Sequence, residues 1–273
     1  MSTKMICVGA GSAFCIGVPK VNKSWQSNLI IEENGKKLLI DAGGDIRHSL
    51  AEMGLSYKDI DAVYITHAHA DHIGGMEYLA FCSYFDPTMK EKIQLICNNE
   101  LLREIWNSSL RGGLKSIQGK QTNLVDFFDI ASVRNNGTFV WEDIEFNIVQ
   151  SVHVMDGYAI VSSFGLMFKT TPENSRVFIT GDTQFNPNQI LDFYKQANLI
   201  IQDCETSPFR SGVHANYEEL KTLPIDIKSK MHLIHYQDNI LEKDSGEIKK
   251  EWKEKAMNDG FLGFLEKGKT IFG

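Results

Sequence analysis

Cysteine and proline are both scarce in this chain, which has 5 cysteines and 6 prolines among 273 residues. The cysteines are scattered and form no C-x-x-C pair, so the pattern indicates reduced thiols rather than a disulfide framework. No run of about 18 apolar residues is present, and the N-terminus lacks a cleavable signal pattern. We therefore expect a cytoplasmic protein that neither spans a membrane nor is secreted.

Positive charge is also in deficit, because 28 Lys and Arg face 35 Asp and Glu, a net charge of −7. Proteins that bind long nucleic acid depend largely on Lys and Arg against phosphates, so a dedicated binder of this kind is disfavoured. A small anion held by a metal ion is not excluded, because a local site can oppose the global charge.

Strand-like segments alternate with helical ones along the whole chain, and Glu33-Asn34-Gly35 predicts a hairpin between the strands at 27–32 and 37–41. Strands are predicted at 5–8, 27–32, 37–41, 62–66, 93–97, 139–140, 144–149, 160–169, 176–180, 199–203 and 231–235, and helices at 46–53, 75–84, 100–108, 187–195, 217–222 and 247–257. No shift in composition marks a linker, so we predict one α/β domain over 1–273 in which helices cover mixed sheets. The polar stretch 115–123 is predicted to be a flexible, solvated loop rather than a substrate contact.

The segment His67-Ala-His69-Ala-Asp71-His72 carries three of the eight histidines and a carboxylate within six residues. It follows a predicted strand and precedes a helix. Side chains alternate along an extended chain, so His67 and His69 point to one side, and the turn that follows can direct Asp71 and His72 toward a second metal about 3.5–4 Å away. Imidazole and carboxylate are the ligands of catalytic zinc sites. We therefore predict a two-metal centre rather than a set of solvated histidines.

Four residues cannot complete the shells of two metal ions, so further ligands are expected where other predicted strands end. His153, Asp182 and His235 occupy such places, and a carboxylate such as Asp182 can bridge two metals. His232 lies three residues before His235 and faces the other side of a strand. His48 lies on an amphipathic helix. The last two histidines are predicted not to be ligands.

These segments together resemble the metallo-β-lactamase superfamily, with its H-x-H-x-D-H cluster, later lone histidine, apolar segment ending in Gly-Asp, and C-terminal L-I-H-Y-Q-D. The chain is more narrowly similar to tRNase Z-like phosphodiesterases, since V-G-A-G-S-A from residue 8 resembles their GTGSA start and L-L-I-D-A-G from residue 38 their LFDCGEG segment. The resemblance spans residues 8 to 236. It implies an αββα sandwich, two mixed β-sheets flanked by helices, and two divalent metal ions with the ligands His67, His69, Asp71, His72, His153, Asp182 and His235.

The resemblance also implies a proton donor. In that family a glutamate in a HEAT-type segment orients a histidine in an HST-type segment. Glu205 and His214 stand in those places, although His214 is followed by Ala-Asn instead of Ser-Thr. Three catalytic residues are thereby implied: Asp71 orients the attacking water, His214 protonates the leaving oxygen, and Glu205 orients His214.

The interval from His153 to Asp182 is only 29 residues long. Long-arm tRNase Z enzymes carry a flexible pre-tRNA-binding arm in that interval, and no such arm fits here. In length and site pattern the chain resembles small cyclic-nucleotide phosphodiesterases of this fold, including the phage anti-Pycsar nucleases. We therefore expect a dinuclear-metal phosphodiesterase that converts 3′,5′-cyclic nucleotides to 5′-monophosphates. A role against cyclic-nucleotide defence signalling would follow from that activity.

Other functions on the same motif stay open: a tRNA 3′-processing endoribonuclease, a thioester or lactone hydrolase, or a non-catalytic nucleotide-binding module. Nitrogen-rich ligation favours Zn²⁺, with Mn²⁺ as the alternative. The resemblance implies a homodimer that acts on a small nucleotide. The aromatic side chains of Phe81, Tyr84, Phe85 and Tyr158 are expected to serve core or dimer packing rather than base stacking.

Overall fold

The computed structural model describes residues 2–16, 24–171 and 173–272. Its strands are β1 (Lys4–Gly9), β2 (Asn28–Glu33), β3 (Lys36–Ile40), β4 (Ala62–Ile65), β5 (Gln94–Asn98), β6 (Ser116–Ile117), β7 (Lys120–Gln121), β8 (Asp129–Val133), β9 (Thr138–Trp141), β10 (Ile144–Met155), β11 (Ile160–Lys169), β12 (Arg176–Ile179), β13 (Leu199–Asp203), β14 (Met231–Ile234), β15 (Gly263–Phe264) and β16 (Thr270–Phe272). Its α-helices are α1 (Ile46–Glu52), α2 (Ala70–Ile73), α3 (Met76–Phe85), α4 (Asn99–Glu104), α5 (Arg111–Leu114), α6 (Leu124–Phe127), α7 (Pro187–Gln196), α8 (Tyr217–Leu220), α9 (Ile225–Lys228) and α10 (Lys250–Asn258). Short 3₁₀ turns lie at Tyr57–Asp59 and Asp238–Ile240, and a π-helical turn lies at Ile105–Leu110.

The β2–β3 hairpin shows how local sequence determines structure. Its turn residues Asn34 and Gly35 have φ values of 52° and 82°. A two-residue turn of this kind needs left-handed backbone at both positions, which Asn-Gly adopts readily. The two strands pair antiparallel from Leu29 opposite Ile40 to the turn. This confirms the hairpin predicted from the sequence.

Two seven-stranded sheets form the body of the fold, ordered β16-β1-β2-β3-β4-β5-β8 and β15-β14-β13-β12-β11-β10-β9. Both sheets are mixed, since β3, β4, β5 and β8 run parallel in the first and β12 to β15 run parallel in the second. Helices α1 and α4 contact the first sheet, and α7 and α10 contact the second. Buried apolar side chains from both sheets form one cluster. The predicted α/β sandwich of two mixed sheets flanked by helices is therefore confirmed.

Hydrogen bonds join the two sheets near the ends of their strands. The hydroxyl of Tyr64 on β4 donates to the carbonyl of Phe164 on β11 at 2.9 Å, and both groups are buried. The amide of Phe164 donates in turn to the carbonyl of Thr66 at 2.9 Å. These contacts set the end of β4 against β11, so the residues that follow β4 face the second sheet.

Several elements differ from the sequence prediction. Strand β10 continues to Met155, so His153 lies within a strand instead of after one. The stretch 115–123 carries the β6–β7 hairpin rather than an irregular loop. Strand β8 was missed because its sequence, Asp-Ile-Ala-Ser-Val, does not alternate between apolar and polar residues. It exists by pairing in parallel with β5. Helix α9 and strands β15 and β16 were missed because they are only two to four residues long.

Among the described residues, no helix is both long enough and apolar enough to cross a membrane.

Replacing Tyr64 with Phe is expected to lower the free energy of unfolding by about 1–2 kcal/mol, because the buried carbonyl of Phe164 loses its hydroxyl donor. Urea denaturation followed by circular dichroism measures the change. Tyr158→Phe is the matched control, since Tyr158 is fully exposed and a surface change of this kind should cost less than about 0.5 kcal/mol. Equal losses in the two variants would contradict the role of this bond.

Candidate metal centre

Three imidazoles converge where β4 ends and β10 passes. His67 follows β4, and His69 directly precedes α2. His153 lies in a bulge of β10. It is the extra residue there, because Val152 pairs with Ser162 while Val154 pairs with the next residue back, Val161. Bulges commonly redirect a side chain next to an active site. Nδ1 of His69 lies 3.0 Å from Nε2 of His67 and 3.0 Å from Nε2 of His153. These three nitrogens form the first candidate ligand group.

A second group forms where α2 meets the end of β14. Oδ2 of Asp71 lies 3.2 Å from Nε2 of His72 and 3.1 Å from Nε2 of His235. His235 has a φ of 68°, a left-handed backbone that non-glycine residues rarely adopt. All three side chains are buried. Such strain clusters at functional sites, where the surrounding structure holds it in place.

Asp182 joins the two groups. It follows β12 and Gly181, and its Oδ2 lies 3.3 Å from Nε2 of His72 and 3.4 Å from Nε2 of His235. The same oxygen lies 3.7 Å from Nε2 of His67 and 3.8 Å from Nε2 of His153. Nδ1 of His214 also lies 3.8 Å from this oxygen. One carboxylate oxygen is thus within 4 Å of five imidazole nitrogens. A carboxylate at this position could bind a metal ion held by either group.

The donor set fits divalent metal ions such as Zn²⁺. Nitrogens and oxygens bound at 2.0–2.1 Å in a tetrahedron lie roughly 3.3 Å from one another, and the separations above run from 3.0 to 3.8 Å. Nε2 of His72 is buried and has no hydrogen-bond partner. A metal ion would give this nitrogen the partner that buried polar atoms normally have. The structure brings together all seven residues named from the sequence: His67, His69, Asp71, His72, His153, Asp182 and His235.

Three of the candidate ligand histidines use Nδ1 to contact a neighbouring residue, which leaves Nε2 facing the centre. Nδ1 of His72 donates to Oδ2 of Asp41 at 2.7 Å, and Asp41 also accepts from the amide and the hydroxyl of Thr66, each at 2.8 Å. Nδ1 of His67 lies 3.1 Å from the Thr66 hydroxyl, and Nδ1 of His153 donates to the carbonyl of Val213 at 2.9 Å. Such partners hold the ring orientation and tautomer of a metal-binding histidine.

Burial controls the protonation of the first group. It lowers the pKa of His67 well below its usual value and also lowers the pKa values of His69 and His153. These imidazoles are therefore neutral near pH 7, which is the form that binds metal. Burial alone would raise the pKa of Asp182, but His235 and the neighbouring imidazoles hold it well below the usual range. The Asp182 carboxylate is accordingly ionised.

The structure corrects the predicted partner of His214. Nδ1 of His214 donates to Oδ2 of Asp203 at 2.9 Å. The carboxylate of Glu205 instead accepts from the amide of Ser211 at 3.0 Å and from the side chain of Asn216 at 3.4 Å. In the structure Asp203, rather than Glu205, therefore holds His214. Asp203 and Glu205 are two residues apart and both are buried. Only the direction of each side chain distinguishes them, and the sequence does not show that direction.

Asp203 is the site residue that the sequence argument missed. It ends β13, so the strand-end signal that pointed to Asp182 was present for it as well. Its Oδ2 accepts from the amide of Thr183 at 2.9 Å, and its Oδ1 lies 3.4 Å from Nδ1 of His235. Burial works against a charge on His214, yet contact with Asp203 raises the pKa of this histidine. Asp203 thus touches both the predicted proton donor and a predicted metal ligand.

The two remaining histidines lie outside the groups that the described residues form. His232 faces the carbonyl of Gly263 at 3.4 Å. His48 is exposed and stacks on Trp25 with ring centroids 5.7 Å apart. That neither histidine is a metal ligand stays a prediction.

Fold comparison first defines the class. The metallo-beta-lactamase fold protein YhfI from Bacillus subtilis superposes with a TM-score of 0.71 at 15% identity, covering 100% of this chain and 99% of that one. The short form of human tRNase Z superposes with a TM-score of 0.65 at 16% identity, covering 98% of each chain. The protein therefore has the metallo-β-lactamase fold, as the sequence indicated.

Sequence comparison then identifies the family. The family model "Anti-Pycsar protein Apyc1" matches residues 3–271. Proteins named "Anti-Pycsar protein Apyc1" from Bacillus phage vB_BveM-Goe7 and from Paenibacillus xerothermodurans are 33% and 31% identical to the chain, covering 99% of it and 98% and 97% of their own lengths. The chain belongs to the anti-Pycsar Apyc1 family. The family and fold agree with the predicted enzyme class, a metal-dependent phosphodiesterase.

Asp41→Asn is expected to weaken Zn²⁺ binding roughly 10- to 100-fold, because His72 loses the carboxylate that orients its ring. The fold should persist, since Asn tolerates the φ of 62° at this position. Competition with a chromophoric chelator measures the affinity. Asp129→Asn makes the same charge change on an exposed side chain and should leave affinity unchanged. If the Asp41→Asn variant binds Zn²⁺ as tightly as the wild type does, Asp41 does not hold His72 in its metal-binding orientation.

Proposed function

We propose that this protein is a dinuclear-metal phosphodiesterase that hydrolyses 3′,5′-cyclic nucleotides to 5′-monophosphates. The observation that carries the proposal is the position of Asp182, whose single buried oxygen lies between two groups of imidazoles. A site of this kind suits the transfer of a phosphoryl group to water. Membership of the anti-Pycsar family supports the choice of substrate.

Two divalent ions, with Zn²⁺ favoured by the nitrogen-rich ligands, would make water nucleophilic near neutral pH and offset the charge of the phosphodiester. His67, His69 and His153 would hold one ion, and Asp71, His72 and His235 the other, with Asp182 between them. The role of Asp71 as the residue that orients the attacking water is part of this proposal.

In this proposal His214 protonates the leaving oxygen. Its Nδ1 donates to Asp203, so its other ring nitrogen is available to a substrate, and about 15% of its side chain is exposed. The raised pKa of His214 favours the protonated ring that a general acid needs. A sugar alkoxide is a poor leaving group, so hydrolysis of a cyclic nucleotide depends on such a donor.

A small substrate agrees with the interval between His153 and Asp182. In the described residues of this interval the chain forms the end of β10, then β11 and β12, without an inserted arm. The net charge of −7 also disfavours a polyanion such as pre-tRNA. The homodimer and the cytoplasmic location stay predictions, and light scattering would measure the mass in solution.

Product analysis tests the proposed activity. Zinc-loaded protein should contain about two ions per chain and should convert purine and pyrimidine 3′,5′-cyclic nucleotides to 5′-monophosphates, as resolved by liquid chromatography. Asp182→Ala should lose bound metal and activity, because it removes the shared oxygen. His48→Ala should keep both. Cleavage of pre-tRNA without cyclic-nucleotide turnover would overturn the proposal, and so would turnover of thioesters or lactones alone.

The proton donor can be tested with a matched pair of carboxylate variants. His214→Ala is expected to lower kcat for a cyclic nucleotide roughly 100-fold or more, with Asp203→Asn showing a smaller loss in the same direction. Glu205→Gln should change kcat less than about threefold, because its carboxylate faces Ser211.

The leaving group supplies the control for this experiment. Bis(p-nitrophenyl) phosphate releases a phenolate that needs no proton, so His214→Ala should lose far less activity on it than on a cyclic nucleotide. Equal losses on both substrates would show that His214 is not the acid. A larger effect of Glu205→Gln than of Asp203→Asn would restore the role first predicted from the sequence.

A further inference from the structure

An open groove lies between the π-helical turn that follows α4 and the β6–β7 hairpin. It has a volume of about 450 Å³ and is lined by Trp106, Arg111, Lys115, Gln121, Thr122 and Asn123, among other residues. We call this surface the Trp106 groove. None of its lining residues belongs to the metal centre or contacts it through a hydrogen bond.

The groove carries unneutralised positive charge. Arg111 and Lys115 are exposed, and within the described parts of the chain neither forms an ion pair. Nearby Lys120, by contrast, pairs with Asp126 at 2.6 Å. Glu77 lies against the backbone at Gly113, but not within ion-pair distance of either cation. Two unpaired cations side by side on an acidic protein favour an anionic ligand.

The two cations are positioned to hold one anion. Arg111 begins α5 and Lys115 directly follows it, so the two residues are four apart. On a helix this spacing puts side chains on the same face, with Cβ atoms roughly 5–6 Å apart. A guanidinium and an ammonium at that separation can contact the oxygens of a single phosphate.

Trp106 supplies an aromatic surface beside this charge. Its indole is partly buried and packs against the core, which fixes the ring. It stands in the π-helical turn Ile105–Leu110, a rare geometry that occurs often at functional sites. An indole face stacks well on a nucleobase, and such stacking tolerates any base.

The backbone around the groove is held in place before any ligand arrives. The amide of Thr122 donates to the carbonyl of Lys115 at 2.9 Å, and its hydroxyl donates to the carbonyl of Leu114 at 2.5 Å. The side-chain amides of Gln121 and Asn123 flank these contacts on the groove wall. A binding surface that is already ordered loses less entropy when it binds.

We propose that the Trp106 groove is a nucleotide-binding subsite that takes a nucleoside phosphate, with the base on Trp106 and the phosphate between Arg111 and Lys115. The amides of Gln121 and Asn123 are the hydrogen-bonding groups available to the sugar or base. The inference rests on the proposed function only for its choice of ligand class, because the groove and the metal centre share no residue.

Metal-free protein tests the groove separately from the centre. Chelator-treated wild type is titrated with 5′-AMP and 5′-UMP by calorimetry, and with inorganic phosphate as the simple-anion probe. Arg111→Ala with Lys115→Ala is expected to weaken nucleotide binding roughly tenfold or more, and Trp106→Phe roughly threefold. Arg134→Ala with Lys243→Ala removes the same charge from exposed residues outside the groove and should leave binding unchanged. Circular dichroism establishes that each variant is folded.

Three results would overturn the proposal: no nucleotide binding by the metal-free wild type, equal weakening in the two double variants, or phosphate binding as tightly as the nucleotides. The test is independent of catalysis. If zinc-loaded protein fails to hydrolyse cyclic nucleotides while the groove variants selectively lose nucleotide binding, the proposed function fails and the subsite stands. If the protein hydrolyses cyclic nucleotides and the groove variants bind nucleotides as the wild type does, the proposed function stands and the subsite fails.

Discussion

The buried negative charge of Asp182 is the constraint on which the rest of the structure depends. An ionised carboxylate with about 3% of its surface exposed is costly unless positive charge or metal ions surround it. Imidazoles from four separate segments of the chain lie around one oxygen of Asp182: those of His67 and His72, of His153, of His214 and of His235. Their contacts with this oxygen hold together elements that are distant in sequence. Neighbouring carboxylates also raise the pKa values of His72 and His235 against the effect of burial, and a bound metal ion would take the place of the proton on each ring.

The fold satisfies that constraint by bringing strand ends from two sheets to one edge. β3, β4, β12, β13 and β14 each end within three residues of a side chain in or next to the centre. Tyr64 and Phe164 tie the sheets together at this edge. Left-handed backbone at Asp41 and His235 then directs the last side chains inward. Precision at the site thus depends on a rigid framework, with left-handed backbone at these two positions beside the centre.

Asp203 connects the two functions proposed for the site. One oxygen of its carboxylate holds His214, and the other lies 3.4 Å from His235. A change at this residue therefore affects a candidate proton donor and a candidate metal ligand together. The sequence motif does not show the contact between Asp203 and His214, because Asp203 and Glu205 are two residues apart and both are buried where β13 ends.

Sequence alone determined the features that depend on local chemistry. Strand and helix periodicity identified most of the elements, Asn-Gly located the hairpin, and the histidine spacing predicted which side chains would meet. Tertiary structure decided the remainder. β8 exists only because β5 offers it a partner, the bulge at His153 depends on pairing with β11, and the hairpin in 115–123 faces a groove that no local pattern shows. Which carboxylate reaches His214 was also a tertiary outcome, since hydrogen bonds depend on direction in space and a motif records only order along the chain.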